Sequence, residues 1–412
     1  ARRSGKPVLL QFTRDEDFIA GLPRHPTTTK IRTGVKRDGQ LMAREAKLYY
    51  DTGAYADHGP TIAAGGAFYA RGVYRVPNVR AEAYTVYTNK PISGAFRGYG
   101  APQSIFAGES QMDIIARELG IDPIDLRRLN GMDHGDSLVN GQKLNEVWLK
   151  KTLDSAARHA DWDGKPLFSG NGKRRGRGAA SGMHVSGGLS SSANVKVMDD
   201  GTVQVSSGVI EIGAGQITMV AMVAAEELGV GVDDVRVVSA DTDATPFEYY
   251  TAASRVTYNV GNVVRLAAAD AKQQLVERAA HVLEVPAEDL AVADKKVFMP
   301  GAPERTMTFA KLTKAKGPKG GGPILGRGVF EAQGPPVNVD CIDGNPRPGI
   351  ATMTFCTHIA EVEVDDPLSG PTSARALRPH PLDERQRGQP RRDAEARAGA
   401  RPSELHVHVC CG

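Results

Sequence analysis

From Ala101 the residues Ala101, Ile105, Gly108, Met112, Ile115 and Leu119 recur at alternating spacings of four and three. This is the stripe that an amphipathic helix turns toward a core. Pro102 suits the first turn and Gly120 the C-terminal stop. A second, shorter helix is predicted at once: Asp122 can cap it, Pro123 occupies its first position, and Ile124, Leu126 and Leu129 supply its apolar side. Further on, Val220, Val223, Ala224 and Leu228 mark a helix ending at Gly229. Asn262 is expected to cap a long one whose buried stripe runs Val264, Ala268, Ala271, Leu275, Ala279 and Val282. Strand-like stretches lie at residues 7–12, 41–55, 183–193, 195–209, 235–239 and 352–364, with Val203, Val205 and Val209 sharing one face. The mixture predicts an α+β chain (α/β mixed).

With 412 residues the chain is long enough for more than one core. The glycine-rich basic run at 170–178 reads as a linker between two similar-sized halves, 1–150 and 151–365, and residues 311–322 read as a basic glycine-rich loop. The segment 366–412 differs abruptly: it has no aromatic residue, and eight arginines face six acidic residues. It is expected to be a disordered tail, and the abruptness suggests out-of-frame translation. A net charge of +3 gives no footprint for nucleic acid. No stretch resembles a membrane span or a secretory leader, so the expected location is cytoplasmic. The four cysteines form no CxxC pair, so no iron-sulfur or zinc site is predicted within the chain.

Three stretches combine glycine or small polar residues with the mouth of a helix, where free backbone N–H groups and the positive end of a dipole can hold an anion. They are Gly94-Ala95-Phe96-Arg97-Gly98-Tyr99-Gly100, then Gly213-Ala214-Gly215-Gln216, then Tyr250-Thr251-Ala252-Ala253-Ser254-Arg255. Each taken singly also reads as an ordinary turn, and Arg97 as a surface ion-pair partner. Together they suggest one extended ligand held from several loops. Glu211 reads as part of its turn, Asp241 and Asp243 as a turn after a strand, and Asp133, His134 and Asp136 as a solvated loop. Phe96 is expected in the core, and His406, His408, Cys410 and Cys411 form an accidental cluster.

The run from Gly94 through Pro102 to Gln103 closely resembles the phenylalanine-arginine-glycine-aromatic-glycine-x-proline-glutamine loop of xanthine dehydrogenase-family molybdenum subunits. Further stretches follow in that family's order: Arg14-Asp15-Glu16-Asp17, Arg24-His25-Pro26, Glu211-Ile212-Gly213, Glu226-Glu227-Leu228-Gly229, Asp241-Thr242-Asp243 and Thr251-Ala252-Ala253-Ser254. The resemblance covers residues 1–365. It implies two similar molybdopterin-binding halves and a molybdenum-bearing molybdopterin, or its cytosine dinucleotide form, with the metal held through the pterin and not by protein ligands. Phe96, Arg97, Gly98, Gly213, Ala214, Gly215, Gln216, Ala253 and Ser254 would approach the cofactor. Arg24 and Tyr99 would meet the substrate, Tyr99 as a stacking ring.

The implied reaction is hydroxylation of an aromatic or heteroaromatic carbon, an aldehyde or an aromatic CoA thioester, with water as the oxygen source. Electrons would pass to 2Fe-2S and FAD groups on an iron-sulfur subunit and an FAD subunit, in a dimer of heterotrimers. The phrase Ser254-Arg255-Val256-Thr257 leans toward the 4-hydroxybenzoyl-CoA reductase branch. Departures accompany the resemblance. Ala214 stands where the family has glutamine, and Gly94 replaces the cysteine of carbon monoxide-oxidising members. The family's glutamate base belongs after Asp365, where nothing like it is found, so no catalytic residue is assigned. The chain then reads as a fragment, and the alternative is a non-catalytic remnant that only binds cofactor or partner subunits. A basic-tail nucleic-acid binder is a third and lesser alternative.

Overall fold

The computed structural model describes residues 2–162, 173–318, 320–332, 334–337, 347–349 and 352–365. The tail predicted for 366–412 and its His/Cys cluster lie outside the described residues. Two compact units are present, one built mainly from Ala1–His184 and the other from Val185–Asn338.

The first unit opens on helix α1 (Arg14–Ala20), closed by a capping box between Thr13 and Glu16. Residues 7–12, expected as a strand, are exposed, form no strand and pair with none among the described residues. Strands β1 (Thr27–Val35) and β2 (Leu41–Gly53) form an antiparallel hairpin. Helix α2 (Gly59–Tyr69) then crosses over to β3 (Asn78–Tyr87), which pairs with β2 in parallel. Helix α3 (Ala101–Leu119) follows, then α4 (Pro123–Asn130), α5 (Leu149–His159) and strand β4 (Lys173–Ser186). β4 pairs with the strand Thr352–Asp365.

Ile31, Ala46, Leu48 and Tyr50 of the sheet pack with Ile62 and Ala63 of α2 and Ala107 of α3. The predicted stripe of α3 is buried at Ala101, Gly108, Met112 and Ile115, and Gly120 ends the helix at φ 66°. Asp122 caps α4 as expected, accepting from the N–H groups of Ile124 and Asp125. Leu129 is 46% exposed, because the buried side of the last turn is taken by Arg127 and Asn130. Lys173–Gly178, expected within a linker, open β4 instead.

The second unit repeats the order of the first. Strands β5 (Ser190–Val197) and β6 (Val203–Ser207) are antiparallel, α6 (Gln216–Leu228) crosses over, and β7 (Val235–Ser239) pairs with β6 in parallel. The long helix α7 (Gly261–Leu283) comes next, followed by β8 (Ala291–Ala293), β9 (Lys296–Met299), β10 (Ala302–Thr308), α8 (Phe309–Lys314) and β11 (Ile324–Glu331). β11 joins the edge of the sheet, giving the order β11-β5-β6-β7. Lys311–Lys314, expected in a loop, are helical because Thr308 caps them and Phe309 and Leu312 are fully buried.

The stripe of α7 is completely buried from Val264 to Ala279, but Val282, in the last turn before the left-handed cap at Glu284, is 41% exposed. Asn262 is no cap. A π-turn at Val256–Val260 leads directly into α7, and the Asn262 amide donates to the Tyr258 carbonyl at 2.7 Å. Gly326 and Gly328 let β11 lie directly on α7: a Cβ at Gly326 would overlap the Ala267 carbonyl and stand 2.5 Å from the Ala271 nitrogen. The Gly326→Ala substitution is expected to destabilise by about 1–3 kcal/mol through overpacking, measured by urea unfolding. A variant as stable as wild type would refute this close approach.

Candidate functional site

In each unit a parallel pair of strands is joined by a crossover helix, and the loop after the second strand feeds another helix. Open α/β sheets present ligand crevices beyond the carboxyl ends of such strands. In the first unit these ends lead into Ala54–His58 before α2 and into residues 88–100 before α3. The two loops are tied by backbone hydrogen bonds, Ala54 N to Lys90 O at 3.2 Å and Ser93 N to Thr52 O at 3.1 Å. In the second unit they lead into the Glu211–Gly215 turn and into residues 240–255. There the Ile210 N–H donates to the Thr251 hydroxyl at 3.0 Å.

The loop before α3 is held by consecutive left-handed residues, Gly98 at φ 91°, Tyr99 at 46° and Gly100 at 92°. A Cβ at Gly98 would stand 2.5 Å from Pro102 Cγ, and one at Gly100 2.8 Å from Gly66 N, so these glycines serve backbone approach. Phe96, expected in the core, is 50% exposed. Its ring lies under the Arg24 guanidinium, 4.8 Å from centroid to Cζ, which explains an exposed phenyl ring without burial. Arg24 Nη2 donates to the Arg97 carbonyl at 2.6 Å, while Nη1 is shielded from solvent and has no hydrogen-bond partner among the described residues. Burial lowers the Arg24 pKa. Arg97 itself has an exposed side chain. Tyr99 is half-buried, and its hydroxyl lies 2.7 Å from His58 Nδ1.

Beside Arg24, His25 is buried, and neither ring nitrogen has a hydrogen-bond partner among the described residues. Burial pushes its pKa down against the opposing pull of Asp57 and Asp51. Gln103 donates to the His25 carbonyl at 3.3 Å and leaves its own Oε1 buried and unpartnered. Buried groups of this kind call for a polar partner. Arg24 Nη1, a desolvated cationic donor, fits an anionic or oxo-bearing group.

The second unit departs from the expected picture of free helix-mouth donors. The Glu211 carboxylate accepts from Gly213 N at 2.8 Å, Gly215 N at 3.0 Å and Ile217 N at 3.1 Å. Those N–H groups are therefore engaged. The bond from Ile217, followed by those from Gly215 and Gly213, holds the carboxyl below its ordinary range. Gly213 at φ 92° and Gly215 at φ 82° face open space where a Cβ would point, and Ala214 is exposed. Gln216 is buried, and its Oε1 accepts from Ile212 N at 3.4 Å.

Ala253 and Ser254 adopt successive left-handed conformations, φ 53° and 51°, which cost energy in non-glycine residues. The next residue holds them. Arg255 is 1% exposed and paired with the equally buried Glu248. It also donates to the carbonyls of Gly188 at 3.0 Å, Tyr250 at 3.1 Å and Ser190 at 2.9 Å, and to the Ser191 hydroxyl at 2.9 Å. Asn259 adds bonds to the Gly188 and Leu189 carbonyls.

Asp241 makes a turn, accepting from Asp243 N and Ala244 N. Asp133 pairs with Lys150, and the His134 ring meets the backbone at Asn145 and Val147. Among the described residues no group of three or more His, Cys, Asp or Glu could hold a metal, and no helix is long and apolar enough to cross a membrane. Ala54–His58 and Glu248 were not singled out from the sequence, and His25, Gln103 and Arg255 appeared there only as members of motifs, with no role of their own. The signal available was the repeated order of strand, strand, helix, strand, helix, which places Ala54–His58 where the second unit has its glycine turn.

Paired loops at the ends of parallel strands, glycine-bearing and opening onto helices, define a cofactor-binding scaffold. Comparison with known proteins gives the kind. Residues 1–131 and 149–373 match models of the molybdopterin cofactor-binding domain. A xanthine dehydrogenase molybdenum-binding subunit of Escherichia coli O157:H7 is 35% identical over 321 residues, 76% of this chain and 43% of that protein. The nicotinate dehydrogenase large molybdopterin subunit of Eubacterium barkeri is 45% identical over 156 residues, 38% of this chain and 37% of that one. Quinoline 2-oxidoreductase from Pseudomonas putida 86 superposes with a TM-score of 0.65 at 25% identity, covering 82% of this chain and 45% of that one. Aldehyde oxidoreductase from Desulfovibrio desulfuricans ATCC 27774 gives 0.63 at 28%, covering 83% and 35%.

The chain belongs to the molybdenum-binding large-subunit family of xanthine dehydrogenase-type, molybdopterin-dependent oxidoreductases. It spans under half the length of these relatives.

Two outcomes are expected at the second unit's loops. Arg255→Met leaves Glu248 buried without its partner and should cost about 3–5 kcal/mol in urea unfolding; the double variant with Glu248→Gln should recover part of it. A loss below about 1 kcal/mol, the value of an exposed pair, would remove the clamp from the account. A lowered folded-state pKa means that the Glu211 contribution is present above the carboxyl's unfolded value and disappears as pH falls through the folded one. Amide exchange at Gly213, Gly215 and Ile217 should therefore speed up in acid relative to neighbouring amides, and at neutral pH in Glu211→Ala. Equal protection in wild type and variant would contradict this.

Proposed function

We propose that the chain forms the pterin-binding part of a molybdenum hydroxylase that oxidises a flat heteroaromatic carbon or an aldehyde, with folding domains at 1–150 and 151–365. The observation that carries this is the desolvated, unpartnered Arg24 Nη1 beside the Arg97 backbone, at strand ends followed by a left-handed Gly98-Tyr99-Gly100 loop. Phe96, Arg97, Gly98, Gly213, Ala214, Gly215, Gln216, Ala253 and Ser254 are the residues assigned to approach molybdopterin. With Glu211 engaging the donors of its turn, the Gly213–Gly215 stretch offers its open outer face to a flat ring and not a set of free N–H groups. The bound group would supply two-electron redox chemistry. Arg24 would orient an anionic or carbonyl oxygen, and Tyr99 would stack on the substrate ring.

The relatives named for nicotinate, quinoline, xanthine and aldehydes support this substrate range, and relatives named as subunits support assembly with partner chains, which we propose carry the 2Fe-2S and FAD groups that take the electrons. A cytosine dinucleotide form of the cofactor, a dimer of heterotrimers and a cytoplasmic location complete the proposal. The second reading, a cofactor or partner binder without turnover, is favoured by one observation. Glu211, the glutamate in the glycine turn, is committed to three backbone donors and cannot also serve as a free base.

The test is molybdenum and pterin analysis of the purified chain, with a reducible-dye assay against hypoxanthine, benzaldehyde and nicotinate. Stoichiometric metal and pterin are expected, and dye reduction separates the enzyme from the binder. A chain free of both after expression in a cofactor-producing host would overturn the proposal.

A further inference from the structure

The Ala54–His58 turn has no role in the readings above, yet it lies at a strand end where the repeat predicts a functional loop. From it His58 Nδ1 reaches the Tyr99 hydroxyl at 2.7 Å, with ring centroids 5.9 Å apart and planes at 83°. The backbone of Tyr99 is already fixed. It is left-handed between two left-handed glycines, its N–H donates to Phe96 O at 2.9 Å, and its carbonyl oxygen lies so close to Gly65 that a Cβ there would stand 2.9 Å away. The Tyr99 side chain packs against the core cluster that includes Tyr50, Ile62 and Ala63, and the contact with His58 adds a hydrogen bond at the phenolic tip, away from the ring face. A phenylalanine in the same place could not be held in this way.

We infer that His58 is a positioning residue that fixes the Tyr99 ring for stacking, and so favours flat heteroaromatic substrates over open-chain ones. This rests on the proposed assignment of Tyr99 to substrate. The donor role in the tether is assigned to the Tyr99 hydroxyl, which places the imidazole proton on Nε2.

The experiment uses the full chain labelled with 15N-histidine, at about pH 8, where an ordinary imidazole is neutral. The expected result is an Nε2–H tautomer at His58 whose Nδ1 resonance moves in Tyr99→Phe. Nicotinate is the probe for binding. Tyr99→Phe and His58→Phe should each weaken it about threefold to tenfold, the effect of one net hydrogen bond, while His58→Gln, which keeps an acceptor, should restore most of the affinity. Tyr99→Phe preserves the ring and the backbone, so it answers even where His58→Phe folds poorly.

A His58 resonance indifferent to Tyr99→Phe overturns the tether. A responsive resonance with nicotinate affinity unchanged in both variants overturns the substrate preference. A responsive resonance in a wild-type chain that binds no nicotinate overturns the assignment of Tyr99 to substrate and leaves the tether standing.

Discussion

A guanidinium removed from water must find acceptors for its donors, and the arrangement of the loops in both units follows from that requirement. The largest fully buried side chains of the described residues are three arginines: Arg44, Arg127 and Arg255. Arg44 donates to the Thr33 hydroxyl at 3.1 Å and the Arg71 carbonyl at 3.0 Å, joining β1, β2 and the end of α2. Arg127 joins α4 to α3 through Glu109 at 2.9 Å and Asp113 at 2.8 Å. The same Glu109 accepts from Tyr74, and burial together with this carboxylate pushes the phenol well above its ordinary pKa. In the second unit Arg255 gathers carbonyls from residues 188–190 and 250. A loop whose carbonyls complete a buried cation cannot drift, and here that loop carries the strained pair Ala253 and Ser254.

The sequence disclosed those features that depend on neighbours along the chain. The α3 stripe, the Asp122 cap with Pro123, the Gly229 stop and the Val203/Val205 face were legible because spacing and capping chemistry are local properties. Features set by distant partners were not. Phe96 reads as core from its type, but the stacked Arg24 satisfies it at the surface. Asn262 has the composition of a cap, yet a π-turn upstream supplies the helix entry and redirects its amide to Tyr258. Residues 7–12 have the composition of a strand, but pair with none in the described chain. For the candidate site, the turns were visible as glycine clusters. The use each makes of its backbone donors was not, because that depends on where one carboxylate, Glu211, folds back.

This distinction changes what the glycine turns can offer a ligand. A helix mouth binds an anion when its N–H groups are vacant. At α6 the chain provides its own anion, and the pKa lowering at Glu211 is the electrostatic signature of that occupation. The two turn glycines are then needed for their positive φ and for the open face they leave, a surface suited to a planar group approaching closely. In the first unit the balance is reversed. The glycines at 98 and 100 are consumed by contact with Pro102 and α2, and Arg24, His25 and Gln103 carry buried side-chain atoms with no partner among the described residues.

The repeated order of strand, strand, helix, strand, helix gives this contrast its meaning. The same topology places paired loops at equivalent strand ends in both units, and each pair is linked by hydrogen bonds of its own, through Ala54 and Ser93 in one and through Ile210 and Thr251 in the other. A duplicated framework needs only different side chains on equivalent loops to take up different tasks. One copy carries a buried histidine, a desolvated guanidinium and a tyrosine hydrogen-bonded to His58. The other carries a self-capped turn and a strained pair held by a buried ion pair, the equipment for presenting rigid backbone to something flat. Two copies of one fold can in this way carry different chemistry on equivalent loops, unpartnered polar side chains in one and a rigid, self-capped backbone in the other.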